Sequence, residues 1–244
     1  MPQIEGAGVA LHYVERGDGQ PLLIVHAMAS DAAAWSPALD ALAAAGARAI
    51  AYDRRGYGES GAPQPYAATT VQEQAEDAAA LLTALDAAPA LLVGDGFGAL
   101  VVLELLVRRP RLASAAVLVD PPVLAFVPAA MSALAAERSL LEGGLRDGGP
   151  SAAIAAWLGD RGGADRLVRA QASQQGFFAD YAGQASWSPA RRELRAIRAP
   201  VAIVTGPGSS QVAVAAADAL QALVPDVRRS GDGDAVAAAC ALLA

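Results

Sequence analysis

The sequence predicts an α/β fold: one mainly parallel, twisted sheet of about eight strands, helices on both faces, and a helical insertion after the sixth strand. Three observations carry this. Short apolar runs alternate with longer helical patterns along most of the chain. Those runs are continuously apolar rather than alternating, as strands covered on both faces must be. Between Pro121 and Arg198 the strand signals stop, and only helical segments with Gly/Pro breaks remain.

The elements follow in order. "VALHYVER" (9–16) reads as a strand, and "DGQP" turns it into "LLIVH" (22–26). A helix from about Asp31 to Ala45 closes at Gly46, and "ARAIAYD" (47–53) is the next strand. "RRGYGESGAP" is a loop. Thr70 and Glu73 have the spacing of a capping box for a helix running to about Asp86. "ALLVG" (90–94) enters a glycine-rich turn, the helix after it reaches about Arg109, and "SAAVLVD" (114–120) is again a buried strand. After the insertion, "APVAIVTG" (199–206) resumes the sheet. A helix at 210–223, a short strand near Val227 and a helix at 235–243 finish it. Residues 1–120 and 199–244 therefore form the core and 121–198 a cap.

Composition narrows the function classes. The chain has 244 residues, enough for a substantial single core, and is 54% hydrophobic. Its net charge is −7, and no run of arginine is longer than a pair, so a nucleic-acid or anionic-membrane face is not expected. The single cysteine, Cys240, allows no internal disulfide and no cysteine metal cluster. The N-terminus lacks a signal-peptide pattern, and the longest nearly apolar run, 121–136, is interrupted by three prolines. These features lead us to expect a cytoplasmic protein with no metal, no cofactor and no nucleic-acid or membrane partner. They leave its oligomeric state open.

Three segments resemble the α/β-hydrolase superfamily, in the branch of epoxide hydrolases, haloperoxidases and esterases. "LLIVHAMASDAAAW" is similar to its His-Gly segment, with Ala27 at the glycine. "AYDRRGYGES" resembles its Asp-x-Arg-Gly-x-Gly-x-Ser loop, with Asp53, Arg55, Gly56, Gly58 and Ser60 in place. "LLVGDGFGAL" resembles the nucleophile elbow, flanked by Gly94 and Gly98. The resemblance implies a catalytic triad, but its three positions carry Gly96, Ser209 (or Ser210) and Asp234. A glycine has no atom that can attack a carbonyl, so covalent catalysis from position 96 is excluded. The histidines, His12 and His26, lie on early strands, and the resemblance gives His26 a structural role.

What the framework retains is a pocket between sheet and cap and an oxyanion hole from the backbone N–H groups of Met28 and Phe97. Asp120 and Asp234, with Asp232 and Ser209 nearby, are the candidate acid–base groups. Trp157, Phe177, Phe178, Tyr181 and Trp187 are candidates for a wall against a flat ligand. Trp35 and Met131 are read as core, and Asp95 as pointing away from the pocket. The leading expectation is a non-hydrolytic enzyme steering cyclisation, isomerisation, addition or elimination of a carbonyl-bearing, polyketide-like metabolite. The alternatives are a catalytically silent binding or scaffold protein, and a residual hydrolase activating water directly. Gly94-x-Gly96-x-x-Ala99 also satisfies a dinucleotide fingerprint, with Asp120 where a ribose-binding acid would sit. That reading is weakened by the three strands preceding it.

Overall fold

The computed structural model describes residues 2–161 and 163–243. Its sheet has eight strands: β1 (Gln3–Glu5), β2 (Ala10–Arg16), β3 (Gln20–Val25), β4 (Ala47–Tyr52), β5 (Ala90–Asp95), β6 (Ala113–Val119), β7 (Val201–Val204) and β8 (Val227–Ser230). Their spatial order is β1-β2-β4-β3-β5-β6-β7-β8. The pairs β1–β2 and β2–β4 are antiparallel, and every pair from β4 onward is parallel. The first strand, "QIE", is too short and too polar for a hydrophobic pattern to locate. It is a mostly exposed edge strand held by its pairing with β2.

Leu22, Leu23, Ile24 and Val25 are all fully buried because helices cover both faces of the sheet. On one face lie α2 (Val71–Ala84), α3 (Phe97–Arg108) and α8 (Gln211–Gln221), with Leu81, Leu100 and Leu220 in one apolar cluster. On the other lie α1 (Ser36–Ala44) and α9 (Ala235–Leu243), contributing Leu39 and Ala239 to a second. The predicted helix at 31–45 opens as a 3-10 turn at Ala33–Trp35, and the α-helix begins only at Ser36, with Pro37 in its first turn. At α2 half of the expected capping box forms. Thr70 Oγ1 accepts from the Glu73 amide at 3.0 Å, while the Glu73 carboxylate turns to Thr69 and Arg55.

Between β6 and β7 the chain leaves the sheet for the cap: α4 (Ala130–Leu158), α5 (Gly163–Ala172), α6 (Gln174–Gln184) and α7 (Arg191–Arg195). The long α4 is two helices joined at a kink, where Gly148 and Gly149 leave helical geometry ahead of Pro150. A buried polar cluster fixes α6 to the core. The Asp180 carboxylate accepts from Arg54 Nη2 (2.6 Å), Gln74 Nε2 (2.6 Å) and Tyr57 Oη (2.7 Å). Both Arg54 and Asp180 are fully buried. Met131, read from the sequence as core, is instead 74% exposed in the first turn of α4. Trp35 is partly buried against the second cluster.

Candidate functional site

The glycine-rich turn after β5 is a tight strand-to-helix reversal. Gly96 has φ +52° and ψ −116°, left-handed backbone that costs a side-chain-bearing residue of order 1–3 kcal/mol. Its amide donates to the Val119 carbonyl at 2.9 Å, which ties the turn to β6. The flanking glycines are required by close approach. A Cβ at Gly94 would lie 2.6 Å from the Ala99 Cα, and one at Gly98 would overlap the Val25 carbonyl. A Cβ at Gly96 would meet the Ala27 Cβ at 3.2 Å. The alanine that replaces a glycine in the His-Gly segment thus puts its methyl against the space where a side chain at 96 would begin.

Above this turn, between β5, β6, α4, α5 and α8, is a cavity of about 620 Å3. Ala27, Met28, Gly96 and Phe97 form its floor, and Leu124, Leu134 and Val212 give it apolar walls. Its volume suits a small organic ligand. A wider groove of about 870 Å3 lies at the opposite, N-terminal edge of the strands, between α2 and the end of α3. It lacks a facing set of acid–base groups, and its Glu76 is engaged by Arg109.

Two residues with carboxylates border the cavity from the sheet. Asp95, the last residue of β5, is one; it also borders an adjoining pocket of about 580 Å3 with Trp35, Asp165 and Arg169. Burial raises its pKa to about 6, and the nearby Asp120 charge adds to this; Arg166 and Arg54 pull the other way only in part. Asp120 follows β6 and adopts φ +44°, an uncommon conformation for a residue with a side chain. Its amide donates to the Val204 carbonyl, and Ser209 Oγ donates to its carboxylate at 2.5 Å. Ser209 in turn accepts from the Gly206 amide at 2.7 Å. Ser209 therefore orients an acid from the end of the neighbouring strand.

The other sequence-derived residues are divided by the fold. Asp234 is exposed, and its Oδ1 accepts from the Ala237 amide, capping α9; it is outside the cavity lining. Asp232 is also exposed, in a turn with Ser230. Of the aromatic residues named for a wall, Trp157 lines the cavity. Trp187 is buried with its Nε1 donating to Glu104 at 2.9 Å. Phe177, fully buried, and Phe178 stack edge to face behind Trp157. Tyr181 is partly buried, 3.4 Å from the Leu134 carbonyl. His26 Nδ1–H donates to the Ala27 carbonyl and its Nε2 accepts from the Arg54 amide. Burial and the Arg54 charge hold its pKa well below the usual value, so it is neutral and spent on structure. His12 is engaged by Asp53 at 2.8 Å.

Sequence reasoning missed Arg161 and Arg166, which bring two cations to the cavity. No motif marks them; they reach the site because the cap folds back over the sheet. Among the described residues no group of three or more His, Cys, Asp or Glu could hold a metal ion, and no helix is long and apolar enough to cross a membrane.

Comparison with known proteins agrees with the fold. A family model described as the alpha/beta hydrolase fold matches residues 20–148. An epoxide hydrolase from Caballeronia sordidicola is 40% identical over 92 residues, 38% of this chain and 28% of that protein. A bifunctional epoxide hydrolase from Sus scrofa is 30% identical over 117 residues, 48% of this chain and 21% of that protein. The matches thus span less than a third of either relative. The crystal structure of an alpha/beta hydrolase from Sphaerobacter thermophilus superimposes with a TM-score of 0.77 at 21% identity, covering 100% of both chains. With an eight-stranded, mostly parallel sheet, its helical cap and this family match, the chain is a member of the α/β-hydrolase family.

Proposed function

We propose that this protein is a non-hydrolytic enzyme of the α/β-hydrolase fold that moves protons on a small, hydrophobic, carbonyl-bearing metabolite. Its reaction class is isomerisation, cyclisation, addition or elimination, with a polyketide-like molecule as substrate. One observation carries the reading: the tip of the nucleophile turn is Gly96, while Asp95, with a pKa of about 6, borders the same cavity.

The substrate carbonyl oxygen accepts from the Phe97 and Met28 amides. Phe97 is the first residue of α3, so its N–H has no intrahelical acceptor, and it adds the positive end of the helix dipole. Donors fixed in place before reaction stabilise an enolate without reorganising. Asp95 then takes the proton α to the carbonyl and returns it elsewhere on the ligand, with a pKa close to the working pH. Asp120, oriented by Ser209, supplies the neighbouring negative charge. The triad positions Gly96, Ser209 and Asp234 carry no nucleophile and no histidine base, which favours proton transfer over an acyl-enzyme.

The test is α-proton exchange of propiophenone in D2O, followed by proton NMR, with 4-nitrophenyl acetate as the hydrolysis control. The expected result is exchange above buffer, lost in Asp95→Asn, with no ester turnover. Ester hydrolysis that disappears in Asp95→Asn would instead favour water activation by the same carboxylate, a reading supported by the hydrolase names of the relatives. No exchange and no hydrolysis would favour a binding protein.

A further inference from the structure

Two residues that border the cavity carry buried hydrogen-bond donors that the protein leaves unsatisfied. Trp157 is only 7% exposed, and its Nε1 has no acceptor among the described residues; neither has the buried Nε of Arg166. Both residues line the cavity, and Arg166 also lines the adjoining pocket. Buried donors left unpaired cost about 1–3 kcal/mol each, so two in one cavity call for a missing acceptor. Arg166 is also short of countercharge. Its contact within the protein is a 3.3 Å bond from Nη2 to the Met28 carbonyl, and no carboxylate lies within ion-pair distance among the described residues. Burial lowers its pKa, with Asp95 compensating only in part. Arg161 beside it spends its guanidinium on the Trp157 and Leu158 carbonyls and the Trp157 ring, at 4.5 Å. Glu137 and Asp160 also line the cavity, and neither pairs with these arginines.

We infer that the substrate is an oxo acid: a ligand whose carboxylate is held by Arg166 and Trp157 Nε1 while its carbonyl sits at the Met28 and Phe97 amides. This rests on the proton-transfer reading for the carbonyl half and adds the anionic half. The Arg166 contact to the carbonyl of Met28, whose own amide is one of the hole donors, sets the two subsites side by side. The carboxylate and the reacting carbonyl are therefore only a few bonds apart. A planar guanidinium and an indole N–H suit the two oxygens of a carboxylate, and such charge-assisted bonds are stronger than neutral ones. Apolar walls take the remainder of the molecule.

The probes are 3-benzoylpropionate, its methyl ester and 4-phenylbutanoate, which keeps the carboxylate and lacks the ketone. Binding is measured by titration calorimetry, and α-proton exchange by NMR, on the full chain. The expected result is that the acid binds about tenfold or more tightly than the ester, the difference made by one charge-assisted contact. Arg166→Gln and Trp157→Phe should erase that preference, weakening the acid far more than the ester. Arg166→Lys, which keeps the charge but loses the fork, should retain part of it. Unchanged melting temperatures of these variants show that the cap is intact. Equal binding of acid and ester, no binding of the acid, or a preference that survives Arg166→Gln overturns the proposal. The two readings fail separately. Exchange of acid and ester alike removes the carboxylate subsite and keeps proton transfer. Tight acid and 4-phenylbutanoate binding without exchange keeps the subsite and removes proton transfer.

Discussion

Replacing Asp95 with asparagine removes a carboxyl group whose ionisation the fold resists, and the effect on stability follows from its pKa. In the folded chain that pKa is raised from 3.8 to about 6, with burial the largest cause. A group whose folded pKa is raised contributes stability that is fully present below the unfolded value and lost as pH rises through the folded one. A pKa raised this far corresponds to about 3 kcal/mol, present below about pH 4 and gone above about pH 7. The asparagine side chain cannot ionise, so the variant keeps what wild type loses. Its advantage over wild type should grow by about 2 kcal/mol between about pH 4.5 and about pH 8. Urea unfolding followed by tryptophan fluorescence at the two pH values reads this directly. The same substitution should abolish proton transfer, a trade of stability against activity at one residue. A stability difference that is flat across this range, or a variant less stable than wild type at the higher pH, would refute the burial argument.

Three other outcomes are expected. Asp180→Asn leaves the fully buried Arg54 guanidinium without its countercharge, and should cost about 3–5 kcal/mol in urea unfolding; a loss below about 1 kcal/mol would mean water replaces the carboxylate. Gly96→Ser should give no esterase activity on 4-nitrophenyl acetate, because His12 and His26 are both engaged elsewhere; measurable turnover would show a base that the geometry omits. It should also cost about 1–3 kcal/mol from the left-handed backbone, part of it regained by adding Ala27→Gly, since the new Cβ meets the Ala27 methyl at 3.2 Å. Ser209→Ala removes the hydroxyl that orients Asp120 and should lower α-proton exchange severalfold with little change in ligand affinity; a change confined to affinity would place the serine in binding.

Much of the fold was legible because its signals are local. Continuous apolar runs such as "LLIV" and "ALLV" mark strands covered on both faces, and the break at Pro121 marks the cap. Exceptions were the polar edge strand at Gln3–Glu5, whose pairing partner alone defines it, and the late start of α1 behind a 3-10 turn. Among site residues, the turn glycines could be located from sequence because backbone geometry follows motif, and Met28 and Phe97, read as amide donors, line the cavity. The acids could not be sorted. Asp234, at one of the triad positions the resemblance implies, caps a helix in solvent, whereas Asp95, read as pointing away, borders the cavity. Three of the aromatic side chains proposed for the wall pack behind Trp157 or against Glu104 instead.

By itself the sequence determined the strand-helix alternation, the tight turn at Gly94–Gly98 and a glycine at its tip. These depend on residue type and near neighbours: hydrophobic period, glycine's freedom at positive φ, and the lack of a side chain. Tertiary structure decided which charges share a cavity. Asp95, Asp120 and Arg166 come from three separate segments, and the properties that matter chemically, a raised carboxylate pKa and an uncompensated guanidinium, exist only once those segments exclude water together. Burial and juxtaposition are properties of the folded chain, and no spacing along the sequence encodes them.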